Sequence, residues 1–275
     1  MIPEKSFTTY QHAADYILAR LPHPVDVAIV LGTGLGTLLD AMDDKVEIPY
    51  RDIPGFLLAT APNHPGKFIA GKLAGRYVIC MSGRFHYYEG YDYSDLATPV
   101  YVLKLLGVTT LILTNAAGAI NYNIHPGDIC VITDHLNFAT VSPTRGNNLD
   151  AFGPRFYPID NLYDRDLRRL AMDCAVQLGF SLKEGVYFYT VGPFFETPSE
   201  IRAMRLLGAD LVGMSTITES LTAGHCGVKV LGLSLATNYS SDRIEGMDGS
   251  EVEDVAERAS AQFRQLILKI LSAME

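Results

Sequence analysis

The sequence predicts an α/β fold, a largely parallel β-sheet flanked by helices and built from one domain over residues 1–275. Three observations carry this. Short runs such as residues 25–31 and 109–114 are apolar at nearly every position, the pattern of strands covered on both faces. Segments with helical spacing alternate with those runs along the chain. Glycine, hydroxyl, amide and charged residues collect just after the runs end, at the carboxyl edge where open α/β sheets bind ligands.

Taken in order, residues 8–21 place Tyr10, Ala14, Ile17 and Leu21 on one helical face, stopped by Pro22 and Pro24. The buried strand 25–31 runs into Gly32-Thr33-Gly34-Leu35-Gly36-Thr37. Such a turn lets backbone N–H groups and the Thr33 hydroxyl approach an anion. Thr37 occupies the third glycine position of the dinucleotide fingerprint, and no Gly-Lys-Ser/Thr follows for a P-loop. His64 lies on the loop before two strands, 67–73 and 76–81, joined by a turn at Ala74-Gly75.

Residues 82–91, S-G-R-F-H-Y-Y-E-G-Y, end the second of these strands. Arg84 offers a planar fork suited to an oxyanion, His86 adds ring donors, and Glu89 is close enough to orient the His. A helix over 94–106 ends at Gly107 and leads to strand 109–114, which stops at Asn115-Ala116-Ala117-Gly118, small residues that leave backbone N–H groups accessible. Strand 128–133 follows. Residues 138–160, with Phe152 and Phe156, form the longest irregular stretch, of the kind that serves as a lid or subunit contact.

A helix over 163–178 ends at Gly179. Strand 186–191 then leads to Gly192-Pro193-Phe194-Phe195-Glu196. The capping box Thr197-Pro198-Ser199-Glu200 starts the next helix and leaves Glu196 at its positive end. After strand 210–214 comes Ser215, then a second capping box, Thr216 to Glu219. The last strand, 229–236, ends at Thr237-Asn238. A third box, Ser250 to Glu253, opens a helix whose buried face carries Val252, Val255, Ala259, Phe263, Leu266 and Ile270.

Bulk properties narrow the function. The 275 residues are 48% hydrophobic and 19% charged, enough for a full core, with no linker, repeat or low-complexity tract. A net charge of -9 and a pI near 5.2 argue against a general nucleic-acid binder. A local Arg and His pocket can still take a small anion. Cys80, Cys130, Cys174 and Cys226 are far apart with no C-x-x-C, so neither a disulfide framework nor a zinc site is expected. The longest apolar stretch, 100–113, is broken by Lys104 and Gly107 and is too short for a bilayer, and the N-terminus has no apolar signal region. A cytoplasmic protein without membrane contact is expected.

The motifs G-T-G-L-G, N-H-P-G, S-G-R-F-H-Y-Y-E-G-Y, T-N-A-A-G, V-G-P-F-F-E-T, L-V-G-M-S-T and A-T-N occur in an order that resembles the trimeric, low-molecular-mass purine nucleoside phosphorylases. Several are shared with methylthioadenosine phosphorylases. The resemblance covers nearly the whole chain and implies the nucleoside phosphorylase fold, with a central mixed, largely parallel sheet. It implies cleavage of a purine nucleoside by phosphate to free purine and pentose 1-phosphate, with no cofactor or metal.

By position, phosphate would be held by Thr33, Arg84, His86, the Ala116 N–H and Ser215, with His64 close by. Tyr88 and Met214 would contact the sugar, with Asn115 beside them. Glu196 and Asn238 would bind the base, with Phe195 on its face. Phe156 would reach a neighbouring subunit's site in a homotrimer. His86, Glu196 and Asn238 are thus the expected catalytic set. Asn238 beside a carboxylate suits the O6 and N1–H of a 6-oxopurine, whereas the methylthioadenosine enzymes carry Asp there. One departure stands out. Val252 occupies the position where the family commonly has a His for the sugar 5'-hydroxyl, with Asp248, Ser250 and Glu251 near in register. It keeps a 5'-methylthio nucleoside open as an alternative substrate.

Overall fold

The computed structural model describes residues 5–32, 35–61, 65–243 and 249–274, with only the backbone of 249–251. Thr33, His64 and Asp248 lie outside the described residues, as do the side chains of Ser250 and Glu251.

Among the described residues one mixed sheet of nine strands forms the centre: β1 (Val27–Leu31), β2 (Asp43–Pro49), β3 (Lys67–Leu73), β4 (Arg76–Ser82), β5 (Thr110–Ala119), β6 (Ile129–Asn137), β7 (Lys183–Tyr189), β8 (Leu211–Gly213) and β9 (Lys229–Tyr239). Around it lie α1 (Phe7–Leu18), α2 (Thr98–Leu105), α3 (Arg165–Gln177), α4 (Pro198–Leu206), α5 (Ile217–His225) and α6 (Gly249–Ala273). The first strand shows why its run is unbroken. Ala28 and Val30 join a core shared with α1, α2 and α5, while Val27, Ile29 and Leu31 join a second core shared with α3 and α6. Both faces are covered.

The sheet order is β2-β3-β4-β1-β5-β8-β7-β6-β9, and β9 also pairs with β5. The sheet therefore closes on itself over its second half, where the sequence pattern suggested an open edge. The reason is the length of β5. Residues 110–117 pair with β9 in parallel, while Gly118 and Ala119 also meet β8 in the antiparallel sense. Asn115 to Gly118 accordingly continue the strand rather than end it. Strand β2 was not legible as one, because its sequence D-D-K-V-E-I-P is mostly exposed and charged, as suits a sheet edge.

A register shift on β9 positions the site. Ala236 pairs with Ala117 and Asn238 pairs with Gly118, leaving Thr237 as an extra residue. Such a bulge re-aims the side chain that follows it. Among the described residues no helix is long and apolar enough to cross a membrane.

Candidate active site

A cavity of about 260 Å³ opens where β1, β4, β5, β8 and β9 end. Its wall includes Arg84, His86, Tyr88, Asn115, Ala116, Phe195, Glu196, Met214, Ser215, Asn238 and Val252. Residues 168 positions apart in sequence, Arg84 and Val252, thus meet in one space. Of the expected set, Phe156 does not line this cavity; it is 89% exposed on the long loop.

The anion-seeking side is built on β4 and β5. Arg84 is buried, with Nη1 donating to the Thr114 carbonyl at 2.8 Å. Thr114 also accepts from the Gly32 N–H at 2.9 Å through its hydroxyl, which donates in turn to the Val30 carbonyl at 2.7 Å. Gly32 must be glycine here, since an added Cβ would sit 2.8 Å from the Asn115 Cα and the Thr114 oxygen. Gly32 and the Arg84 fork are thereby held on one threonine.

His86 is oriented as the sequence suggests. Glu89 Oε1 accepts from the His86 backbone N–H at 2.7 Å and from Nδ1 at 3.0 Å. Because a carboxylate only accepts, Nδ1 carries a proton, and the ring lies stacked on Tyr88 at 4.7 Å. Burial works against the Glu89 charge, but hydrogen bonds from His86 and Thr60 outweigh it and hold the carboxyl at about 2. Glu89 therefore stays an acceptor across the neutral and mildly acid range.

The other side is built on the end of β9 and the entry to α4. Glu196 Oε1 accepts from the Thr190 hydroxyl at 2.8 Å, and the Glu196 carbonyl accepts from the Ser241 hydroxyl at 2.6 Å. Burial raises the Glu196 carboxyl above its ordinary 4.5, and the Thr190 bond only partly opposes this. Asn238 Oδ1 accepts from the Thr237 hydroxyl at 3.0 Å, and Nδ2 donates to the Tyr239 carbonyl at 3.1 Å. A Cβ on Gly118 would come within 3.2 Å of Asn238 Nδ2, so the glycine opposite the bulge keeps room for the amide.

Between them, Asn115 Nδ2 donates to the Thr216 hydroxyl at 2.8 Å, which lies 3.2 Å from Ser215 Oγ. The Asn115 side-chain oxygen Oδ1 is buried without a hydrogen-bond partner among the described residues, an unused acceptor on a residue of the cavity wall. Thr216 itself sits at φ 77°, ψ -41°, a conformation that costs a β-branched residue about 1–3 kcal/mol. The expected capping box does not form there, because Thr216 makes no side-chain cap bond.

Sequence reading missed Thr190 and Ser241, and it read Glu219 as part of that cap. Only the structure shows why Glu219 is not a surface cap. Residues 217–223 are all buried, so α5 has no solvated face on which a charge could rest.

Comparison with known proteins agrees with this geometry. The family model of the phosphorylase superfamily matches residues 26–272. Purine nucleoside phosphorylase 1 of Geobacillus stearothermophilus is 40% identical over 268 residues, 97% of this chain and 98% of the relative. The purine nucleoside phosphorylase of Bos taurus is 41% identical over 275 residues, 98% of this chain and 95% of the relative. The crystal structure of the Schistosoma mansoni purine nucleoside phosphorylase in complex with inosine superposes with a TM-score of 0.93 at 37% identity, covering 98% of each chain. With a family match over nearly its whole length and relatives at this identity, the chain belongs to the purine nucleoside phosphorylases.

Proposed function

We propose that the chain cleaves the N-glycosidic bond of 6-oxopurine ribo- and deoxyribonucleosides such as inosine and guanosine with phosphate, giving the free purine and the pentose 1-phosphate. The observation that carries this is the single cavity lined both by Arg84 and His86 and by Glu196 and Asn238. An anion clamp and a base-recognition pair share one wall.

Breaking the bond from sugar to base leaves negative charge on the purine and positive charge on the sugar. Asn238 Nδ2 would donate to N7 of the departing base, while ionised Glu196 accepts from N1–H. Phosphate would be held by Arg84, His86, the Ala116 N–H and Ser215, with Thr33 and His64 completing the clamp. Held beneath the sugar, it acts as nucleophile and as counter-charge for the oxocarbenium. Tyr88 and Met214 would border the sugar, and Phe195 the face of the base. No covalent nucleophile, cofactor or metal enters this scheme, with phosphate as co-substrate. The test is release of hypoxanthine from inosine with and without phosphate. Release independent of phosphate would mean a hydrolase instead.

The base contact carries a pH signature. As pH falls through the raised Glu196 value, the carboxylate takes up a proton, loses its charge and becomes a weaker acceptor for N1–H. At saturating phosphate the KM for inosine is expected to rise on the acid side with an inflection above 4.5, and to lose that inflection in Glu196→Gln.

Val252 supports a second reading. An apolar side chain lines the cavity at the position matched to the sugar's 5' end, which suits a 5'-methylthio nucleoside. Comparing kcat/KM for 5'-methylthioinosine and inosine decides between the two.

We also propose a cytoplasmic homotrimer acting in purine salvage, with the whole chain as one unit. The trimer is supported by an aromatic side chain left open to a partner: Phe156, on the long loop, is 89% exposed. Phe156→Ala is expected to raise the KM for inosine about tenfold while leaving the KM for phosphate unchanged. Sedimentation of the wild-type protein as a monomer would remove the basis for this.

A further inference from the structure

The sequence T-I-T-E at 216–219 spells a capping box, yet neither of its end side chains serves the cap. The Thr216 hydroxyl goes to Asn115. Glu219 turns inward to the anion clamp instead. Its Oε1 accepts from Arg84 Nε at 2.9 Å and from Nη2 at 2.8 Å, and its Oε2 accepts from the Thr218 hydroxyl at 3.0 Å. Both partners of the ion pair are almost wholly buried, at 2% and 4% exposure.

Arg84 thus has three of its five N–H groups engaged: Nε and one on Nη2 with Glu219, and one on Nη1 with Thr114. Because the fork is planar, these bonds fix its plane and leave one N–H on each terminal nitrogen for a ligand in the cavity that Arg84 lines. A carboxylate so near an anion site repels the anion. Its presence therefore cannot be explained by attraction, and a cap role was available to it but is not used.

We propose that Glu219 is the positioning residue of the phosphate clamp: it sets the plane of the Arg84 guanidinium and balances its buried charge, so that phosphate is bound by two aimed N–H groups. This rests on the reading of Arg84 as a phosphate ligand. Burial opposes the Glu219 charge, but the Arg84 charge outweighs it and keeps the carboxyl below its ordinary value, so the pair is intact at working pH.

The experiment is initial-rate kinetics over a matrix of phosphate and inosine concentrations. For Glu219→Gln, which keeps the shape and one acceptor, the KM for phosphate is expected to rise about tenfold, with the KM for inosine within about twofold of wild type. Glu219→Asp should recover part of the loss. Thr218→Val, which frees Oε2 without touching the ion pair, should raise the phosphate KM by about two- to fivefold, and it decides the matter if the Glu219 variants do not fold. An unchanged phosphate KM in a folded Glu219→Gln, or a parallel change in both KM values, overturns the proposal. Arg84→Lys separates the two levels. If it raises the phosphate KM while Glu219→Gln does not, the positioning role fails and the clamp stands. If wild-type turnover does not depend on phosphate, the underlying reading fails first.

Discussion

Asn238→Asp is expected to raise the ratio of kcat/KM for adenosine over inosine by about a hundredfold, mainly by losing inosine. In the wild type the amide can present a donor to the base while Glu196 presents an acceptor, the complement of a 6-oxopurine. An aspartate offers only oxygens. It would face O6 with acceptor against acceptor, and a 6-amino group with acceptor against donor. The surroundings set the direction of the residual effects. The Thr237 hydroxyl can still donate to the new carboxylate, but the oxygen replacing Nδ2 would confront the Tyr239 carbonyl that now accepts from it. That repulsion raises the new aspartate's pKa and costs overall rate. Steady-state kinetics on both nucleosides measure the ratio. An unchanged ratio would remove Asn238 from base recognition.

Arg84→Ala should lower kcat/KM for phosphate by about a thousandfold or more, since it removes the charged, aimed donors of the clamp. A second effect is expected in the same variant. Glu219 would be left as an unpaired carboxylate among buried residues, which destabilises by about 3 kcal/mol or more. The sign with pH is distinctive. In the wild type Arg84 depresses the Glu219 pKa, so the pair's contribution is present above the ordinary carboxylate range and fades as pH falls through the depressed value. Without Arg84, burial still raises that pKa, and only the Thr218 hydroxyl and a backbone N–H oppose it. The penalty is then full at neutral pH and relieved as pH falls and Glu219 takes up a proton. Denaturant unfolding near neutrality and in mild acid reads this directly. The double variant Arg84→Met with Glu219→Gln should regain much of the stability and none of the phosphate affinity.

Much of this molecule is written in short-range pattern. The unbroken run at 25–31 needs two covering layers, and the two cores on either side of β1 supply them. Period and turn chemistry placed Arg84, His86, Glu196 and Ser215 beyond strand ends, and Glu89 lies three residues from the ring it orients. Local chemistry suffices for such placements, because strand ends, caps and neighbouring hydrogen bonds involve residues close in the chain.

The remainder depends on contacts that no local pattern encodes. Arg84 meets Glu219 across 135 residues, and Asn115 meets Thr216 across 101. Thr216 and Glu219 carry ordinary capping letters, and only their bonds to Asn115 and Arg84 divert them from the cap, with Thr216 at a positive φ. The closing of the sheet through β5 and β9 was likewise invisible, since one long strand that pairs with three others reads in sequence like any buried strand. The bulge at Thr237 depends on that closure. Without it, Asn238 would be the last letter of an apolar run. With it, a shift of one residue turns the amide toward the cavity that Glu196 reaches from the loop before α4, because side chains alternate along a strand and a single extra residue reverses which face they take.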